Sequence, residues 1–110
     1  MTDHDTNEWF YARKLIRNII SRGLYISADN GEDELTDPSR DEAVLLARLN
    51  TTEMDTLRLY RLNAGGLLPV GFFFLVWGND PSGEELVSDH SANRLCYNIW
   101  SEVFGKEMVV

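Results

Sequence analysis

Residues 67–77 read LLPVGFFFLVW, the most apolar segment of the chain. This run predicts the central strand of a sheet. Because alternate side chains of a strand point to opposite faces, both faces of this strand are apolar. One set is Phe72, Phe74 and Val76, and the other is Phe73, Leu75 and Trp77. A sheet covered on one side only would leave the second set in water, so two arrangements are open: three helices split between the two faces, or a homodimer.

Four further strands are predicted on either side of this segment, each bounded by turn residues. Asp29-Asn30-Gly31 is a tight-turn signal that predicts a hairpin, with a charged return strand at the sheet edge. The four strands are Leu24–Ala28, Glu32–Thr36, Thr56–Leu62 and Glu84–Ser88.

Three amphipathic segments predict helices. The first is capped by Asp5 or Thr6 and stops at Gly23. The second opens at residues 37–39, where Ser39 and Glu42 have the spacing of a capping box. The third is capped by Asp89 or Ser91, and its apolar residues repeat at helical spacing. These residues are Ala92, Leu95, Cys96, Ile99, Trp100, Val103 and Phe104.

The predicted order of elements is α-β-β-α-β-β-β-α. Short links between strands favour antiparallel pairing, so the sequence predicts an α+β fold with a five-stranded antiparallel sheet and three helices. The 110 residues suffice for a single domain, 1–110, and we expect residues 1–5 to form a flexible tail.

The composition indicates the class of protein and its cellular location. Hydrophobic residues make up 44% of the chain and charged residues 25%, which is typical of a globular domain. A single cysteine excludes an internal disulfide and favours the cytoplasm. Residues 1–7 are too polar for a signal peptide, and residues 66–77 are too short to span a bilayer. We therefore expect a cytoplasmic protein with no membrane contact.

The charge is strongly negative and unevenly distributed. The net charge is -8, which disfavours direct binding to nucleic acid. Between residues 29 and 42 lie seven acidic side chains opposed only by Arg40, and a second acidic group falls in the last hairpin. The first group is Asp29, Glu32, Asp33, Glu34, Asp37, Asp41 and Glu42, and the second includes Asp80, Glu84 and Glu85. Two interpretations are open: a solvated surface, or a site for a basic partner.

Chemical motifs are few. Asp89-His90-Ser91 contains the residue types of a hydrolytic triad, but adjacent side chains diverge, so helix capping explains them better. Cys96 lies on the apolar stripe of the last helix, which predicts a buried structural thiol. One cysteine and two distant histidines cannot close a zinc site. We predict a protein that is not an enzyme and has no cofactor or metal.

Four segments together resemble the small acidic proteins that bacteriophages and related mobile elements carry in proteobacteria. They are residues 27–32 (SADNGE), 51–57 (TTEMDTL), 74–79 (FLVWGN) and 88–93 (SDHSAN). Asn30, inserted between Asp29 and Gly31, departs from the usual turn. The resemblance implies a bacterial host cell and a partner in the host machinery, such as a restriction or CRISPR complex, but no catalytic residues.

These observations lead to one functional prediction and two alternatives. The prediction is a non-enzymatic inhibitor, of the anti-CRISPR or antirestriction type, whose carboxylates occupy the basic groove of a host nucleic-acid-binding protein. Alternate residues on a strand lie about 6.5 Å apart, near the phosphate repeat of nucleic acid. One alternative is a structural or regulatory adaptor, or an oligomerisation module, that acts through the apolar sheet face. The other is a hydrolytic enzyme that uses Asp89 and His90.

Overall fold

The computed structural model describes residues 6–30, 37–78 and 81–105. Within these ranges the chain forms three helices and one four-stranded sheet, in the order α-β-α-β-β-β-α. The elements are α1 (Asn7–Ser21), β1 (Tyr25–Asp29), α2 (Glu42–Ala47), β2 (Met54–Asn63), β3 (Gly66–Val76), β4 (Val87–His90) and α3 (Arg94–Phe104).

The predicted α+β class, the antiparallel sheet and the three helices are confirmed, but the sheet has four strands and not five. The predicted strand over residues 32–36 and the predicted tail over residues 1–5 lie outside the described residues. On the outer side of β1, Ser39 forms a bridge to Ile26 with two backbone hydrogen bonds of 2.8 and 2.9 Å. The inner neighbour of β1 is β2, which follows it only after α2.

The strands pair in the order β1-β2-β3-β4, and every pair is antiparallel. Leu57 lies opposite Phe73, and Leu59 lies between Ile26 and Gly71, so these side chains share one face. The β2–β3 register shifts after Leu59, which marks a bulge.

All three helices pack on this one face, so of the two arrangements left open, the split of the helices between both faces is not the one observed. Their apolar side chains form a single core with the alternate residues of the sheet. Leu15 of α1, Leu45 of α2 and Ile99 of α3 are all fully buried in that core, as are Phe73 and Leu75 of β3. The fold is therefore one layer of helices on one layer of sheet.

Short polar side chains set the starts of the helices. Thr6 Oγ1 accepts a hydrogen bond from the backbone of Trp9, which confirms Thr6 as a cap of α1. Asp41, and not Ser39, caps α2 by accepting from the backbone of Ala43 and Val44. Asn93 caps α3, so the prediction of Asp89 or Ser91 is wrong.

The last strand begins later than the predicted Glu84–Ser88. Gly83 has a φ of 79°, and a Cβ there would lie 2.7 Å from the backbone of Asn7. This close approach holds the preceding loop against the start of α1, and residues 84 and 85 form a turn. The strand then runs from Val87 to His90.

Candidate protein-contact surface

The structure does not bring the ten predicted site carboxylates into one described row. Asp29 ends β1, whereas Asp41 and Glu42 begin α2, and Asp37 precedes the bridge at Ser39. Glu84 and Glu85 lie in the turn before β4. The other four, Glu32, Asp33, Glu34 and Asp80, lie outside the described residues.

Contacts within the chain engage Asp29, Asp41 and Glu42. Glu42 accepts two hydrogen bonds from Arg17, at 2.7 and 2.9 Å, which lower the pKa of Glu42 and raise that of Arg17. Asp29 forms an ion pair with Arg58 at 3.6 Å, and Asp41 caps α2. These contacts explain part of the acidic stretch as local structure.

Asp37, Glu84 and Glu85 are exposed to solvent. Glu84 and Glu85 lie near the start of α1, because Asn7 donates a hydrogen bond to the backbone oxygen of Pro81. Asp37 lies beside α2, where its backbone oxygen accepts from Arg48 at 2.8 Å. These three carboxylates are the predicted site residues that the structure leaves on the surface.

Asp89 and His90 do not form a catalytic pair. By register, Asp89 lies opposite Phe74 and His90 opposite Phe73, so their side chains project from opposite faces of the sheet. The Nδ1 atom of His90 lies 2.8 Å from the backbone oxygen of Ser91, which orients the ring in place of a carboxylate.

Cys96 is a buried free thiol, as predicted, and burial raises its pKa. Its Sγ lies close to β3, because a Cβ added at Gly71 would lie 2.5 Å from it. In the described ranges, no group of three or more His, Cys, Asp or Glu side chains is placed to hold a metal ion.

The face of the sheet opposite the helices is the most distinctive surface of the molecule, and we call it the uncovered face. Strand register and alternation assign fourteen side chains to it. In strand order they are Tyr25, Ser27 and Asp29; Met54, Thr56, Arg58, Tyr60 and Leu62; Leu67, Pro69, Phe72, Phe74 and Val76; and Asp89.

None of the described helices packs on the uncovered face, because all three bury their apolar side chains on the other side of the sheet. Met54 is 48% exposed and Leu62 is 58% exposed, and both lie on this face. Between them, Phe72 and Phe74 are half-buried. Large apolar or aromatic side chains thus lie along β3 and towards both ends of β2.

The uncovered face extends onto an arm formed by residues 61–70, the far half of the β2–β3 hairpin. This arm projects beyond β1, whose pairing with β2 ends at Tyr25 and Tyr60, and beyond β4. Leu62 lies opposite Leu67 at its tip, and Leu68 on the reverse side is 51% exposed.

A groove of about 640 Å³ crosses the middle of the uncovered face. Its walls include Arg58, Tyr60, Pro69 and Phe72. The Tyr60 hydroxyl lies 3.2 Å from the hydroxyl of Ser27. The groove therefore combines apolar and aromatic walls with the guanidinium group of Arg58 and the carboxylate of Asp29.

Asp55 is a buried carboxylate near the start of β2. It is 1% exposed, and its Oδ2 accepts hydrogen bonds from Trp77 Nε1 at 2.7 Å and from the backbone of Asn50 at 2.8 Å. Its Oδ1 is buried with no hydrogen-bond partner. Burial is the main cause of the raised pKa of Asp55.

Sequence reasoning missed the contribution of β2 to the uncovered face. The signal was the alternate set Met54, Thr56, Arg58, Tyr60 and Leu62, which is apolar or aromatic at three of its five positions.

No helix within the described ranges has both the length and the apolar character that crossing a membrane requires. Comparison of the chain with known proteins found no matching family model, no matching curated protein and no matching solved structure. The resemblance to phage proteins therefore stays a prediction.

Proposed function

We propose that this chain is a non-enzymatic protein-association module whose contact surface is the uncovered face. The observation that carries the proposal is the asymmetry of the sheet: both faces are rich in large apolar side chains, but the helices cover only one. Contiguous exposed apolar surface in a small domain is typical of a protein interface.

The expected free energies favour the uncovered face over the acidic side chains as the contact surface. Burial of apolar surface contributes about 25 cal/mol per Å², so a few hundred Å² provide several kcal/mol toward association. Exposed ion pairs contribute about 0–1 kcal/mol each and are screened by salt. An assembly made through the uncovered face is therefore largely insensitive to ionic strength.

Two matched pairs of substitutions test this function. Met54→Lys places a charge on the uncovered face, and Val44→Lys places one on α2, at side chains that are 48% and 39% exposed. Phe74→Asp and the control Phe10→Asp, on α1, form the second pair. We expect the first member of each pair to lose association with itself and with any protein partner, and each control to keep both.

Sedimentation velocity measures self-association of these variants, and cross-linking followed by mass spectrometry identifies which face is in contact. Circular dichroism confirms that each variant is folded. If Met54→Lys and Phe74→Asp associate like the original chain, the uncovered face is not the contact surface.

A second candidate function is inhibition of a host nucleic-acid-binding complex, of the anti-CRISPR or antirestriction type. The net charge of -8 and the exposure of Asp37, Glu84 and Glu85 support it. In this proposal these carboxylates take the place of phosphates in a basic groove, and charge steering accelerates binding. The division of the acidic residues among several elements makes it the weaker of the two proposals.

Charge reversal tests this candidate directly. The triple variant Asp37→Lys, Glu84→Lys and Glu85→Lys is compared with Glu102→Lys on α3. The readout is displacement of a labelled DNA duplex from purified restriction and CRISPR complexes at low and high salt. We expect displacement by the original chain and by Glu102→Lys at low salt only, and none by the triple variant. Equal displacement by the triple variant would exclude a role for these carboxylates.

A further inference from the structure

The uncovered face is a grid in which cross-strand neighbours form rows. The central two rows carry its charges and its two phenylalanines. The Arg58 row contains Ser27, Arg58 and Phe72, and the adjacent Thr56 row contains Asp29, Thr56, Phe74 and Asp89. Tyr60 and Pro69 lie beyond the first row, and Met54 and Val76 lie beyond the second.

Arg58 is a donor group with capacity for a further partner. Its side chain is 47% exposed, and its Nη2 lies 3.6 Å from Asp29 Oδ2. This separation is longer than the 2.7–2.9 Å or so of a charge-assisted hydrogen bond. The guanidinium group has five N–H donors in a fixed fork, so it can bind a second carboxylate while it remains near the first.

We propose that a second copy of this chain occupies the uncovered face, related to the first by a two-fold axis that crosses the strands between the Arg58 and Thr56 rows. The proposal rests on the proposed association function and names its partner. In this arrangement each row faces the other row of the partner, and each strand faces its own copy. Arg58 then lies opposite the partner's Thr56 and diagonally across from the partner's Asp29, within reach of its long side chain, and this contact occurs twice.

Charge complementarity selects this axis. The two Arg58 and two Asp29 side chains form a ring in which positive and negative charges alternate. Asp89 faces the partner's Arg58 row, away from the partner's acidic side chains. A two-fold axis parallel to the strands would instead place Asp29 opposite the partner's Asp89. Because like charges in an interface oppose association, the axis across the strands is favoured.

The apolar side chains are also complementary in this arrangement. Phe72 faces the partner's Phe74, and the groove beside Arg58 receives that ring. Tyr60 faces the partner's Met54, and Pro69 faces the partner's Val76. Each contact pairs a residue of one copy with a different residue of the other, as a self-complementary interface requires.

The size of the surface is compatible with a small dimer interface. From strand geometry the face measures roughly 27 Å along the two central strands, but β1 has five residues and β4 has four, so the projected area is about 400 Å². Its accessible surface is larger than its projection because the side chains protrude. A stable interface buries on the order of 600–800 Å² on each partner, so this face supplies a large part of the required area.

The experiment reverses one charge of the proposed contact on each copy and asks whether two complementary variants restore the dimer together. Arg58→Glu and Asp29→Arg are purified separately and mixed at micromolar concentration, and sedimentation equilibrium measures the mass relative to the 12.6 kDa chain. We expect the original chain to be a dimer and each variant alone to dissociate at least roughly tenfold more readily. The mixture is expected to recover the dimer, because both contacts then join opposite charges.

Two controls make the exchange specific. A mixture of Arg58→Glu with the original chain retains one contact between like charges and is not expected to recover the dimer. The double variant that carries both substitutions in one chain keeps the pair within the chain and is expected to form a dimer with itself. It also serves as the test if a single variant does not fold.

Two results would overturn the proposed dimer. One is an original chain that stays monomeric at the highest soluble concentration, and the other is no recovery of the dimer on mixing or in the double variant. Loss of a different protein partner in Met54→Lys, with the original chain monomeric, would overturn the dimer and support the association function. If Met54→Lys changes neither self-association nor the binding of a protein partner, the association function fails as well.

Discussion

The two faces of the sheet have similar side chains but different surroundings. On the covered face, Leu57, Phe73 and Leu75 are fully buried beneath three helices. On the uncovered face, Phe72 and Phe74 are half-buried, and Met54 is largely open to solvent. The difference teaches that apolar character alone does not define the core: the covered face stabilises the fold, and the uncovered face is available for association.

The sharpest test of this comparison substitutes adjacent phenylalanines. Phe73→Ala creates a cavity in the core and is expected to lower the free energy of unfolding by about 3–5 kcal/mol. Phe74→Ala removes a half-buried ring and is expected to have a much smaller effect in the monomer. Chemical denaturation of both variants at low protein concentration measures the difference. Equal losses of stability would contradict the assignment of the two faces.

A second test concerns the polar group on the covered side. Asp55→Ala leaves the buried Nε1 of Trp77 without its acceptor, at a cost of about 1–3 kcal/mol in the free energy of unfolding. Asp55→Asn keeps an acceptor for this group and is expected to lose less. Denaturation of the two variants in parallel measures the gap, and equal stability of both would show that the hydrogen bond contributes little.

The same carboxylate predicts a dependence of stability on pH. Because burial raises the pKa of Asp55, the folded state holds this proton more tightly than the unfolded state, where the pKa is about 3.9. The contribution of Asp55 is therefore complete below the unfolded pKa and decreases as pH rises through the folded pKa. Thermal melts across this range should show a flatter profile for Asp55→Asn; an unchanged profile would exclude Asp55 as the source.

A third test uses the close approach between the sheet and α3. A Cβ on Gly71 would lie 2.5 Å from Cys96 Sγ, so Gly71→Ala forces the helix and the sheet apart. We expect a loss of about 1–3 kcal/mol in the free energy of unfolding. Adding Cys96→Ala removes the clashing atom and should restore part of the loss. Additive effects of the two substitutions in denaturation experiments would contradict the contact.

The smallest effect on stability is expected for an ion pair on the outer surface of the helices. Arg17 and Glu42 join α1 and α2 through two hydrogen bonds on the surface. Water and salt screen this pair, so Arg17→Ala is expected to shift the denaturation midpoint by little more than the error of measurement. A shift comparable to that of Phe73→Ala would mean that surface charge, and not the covered face, holds the helices in place.

Much of the fold could be predicted from local patterns. The central strand was predicted at residues 67–77 and lies at Gly66–Val76, and Thr6 and Gly23 bound the first helix as expected. The late start of β4 could not be predicted, because it depends on the contact between Gly83 and Asn7. Alternation along β3 also shows two apolar faces without indicating which one the helices cover, since that choice depends on how the whole chain packs.

The candidate site was less predictable than the fold. Clustering of carboxylates in the sequence suggested one acidic surface, but Arg17 pairs with Glu42 from 25 positions away and Arg58 pairs with Asp29 across two strands. Such pairings arise from tertiary structure. In contrast, the polar and apolar alternation of β2 was visible in the sequence, and it contains the residues that now define the uncovered face.

The most direct test of the uncovered face requires no substitution. A soluble paramagnetic agent broadens the NMR signals of exposed methyl groups, and its effect is recorded for Met54, for Val76 and for the control Val44 as protein concentration increases. The account predicts that Met54 and Val76 become protected at high concentration while Val44 stays accessible. Unchanged accessibility of Met54 and Val76 up to the solubility limit would contradict self-association through this face.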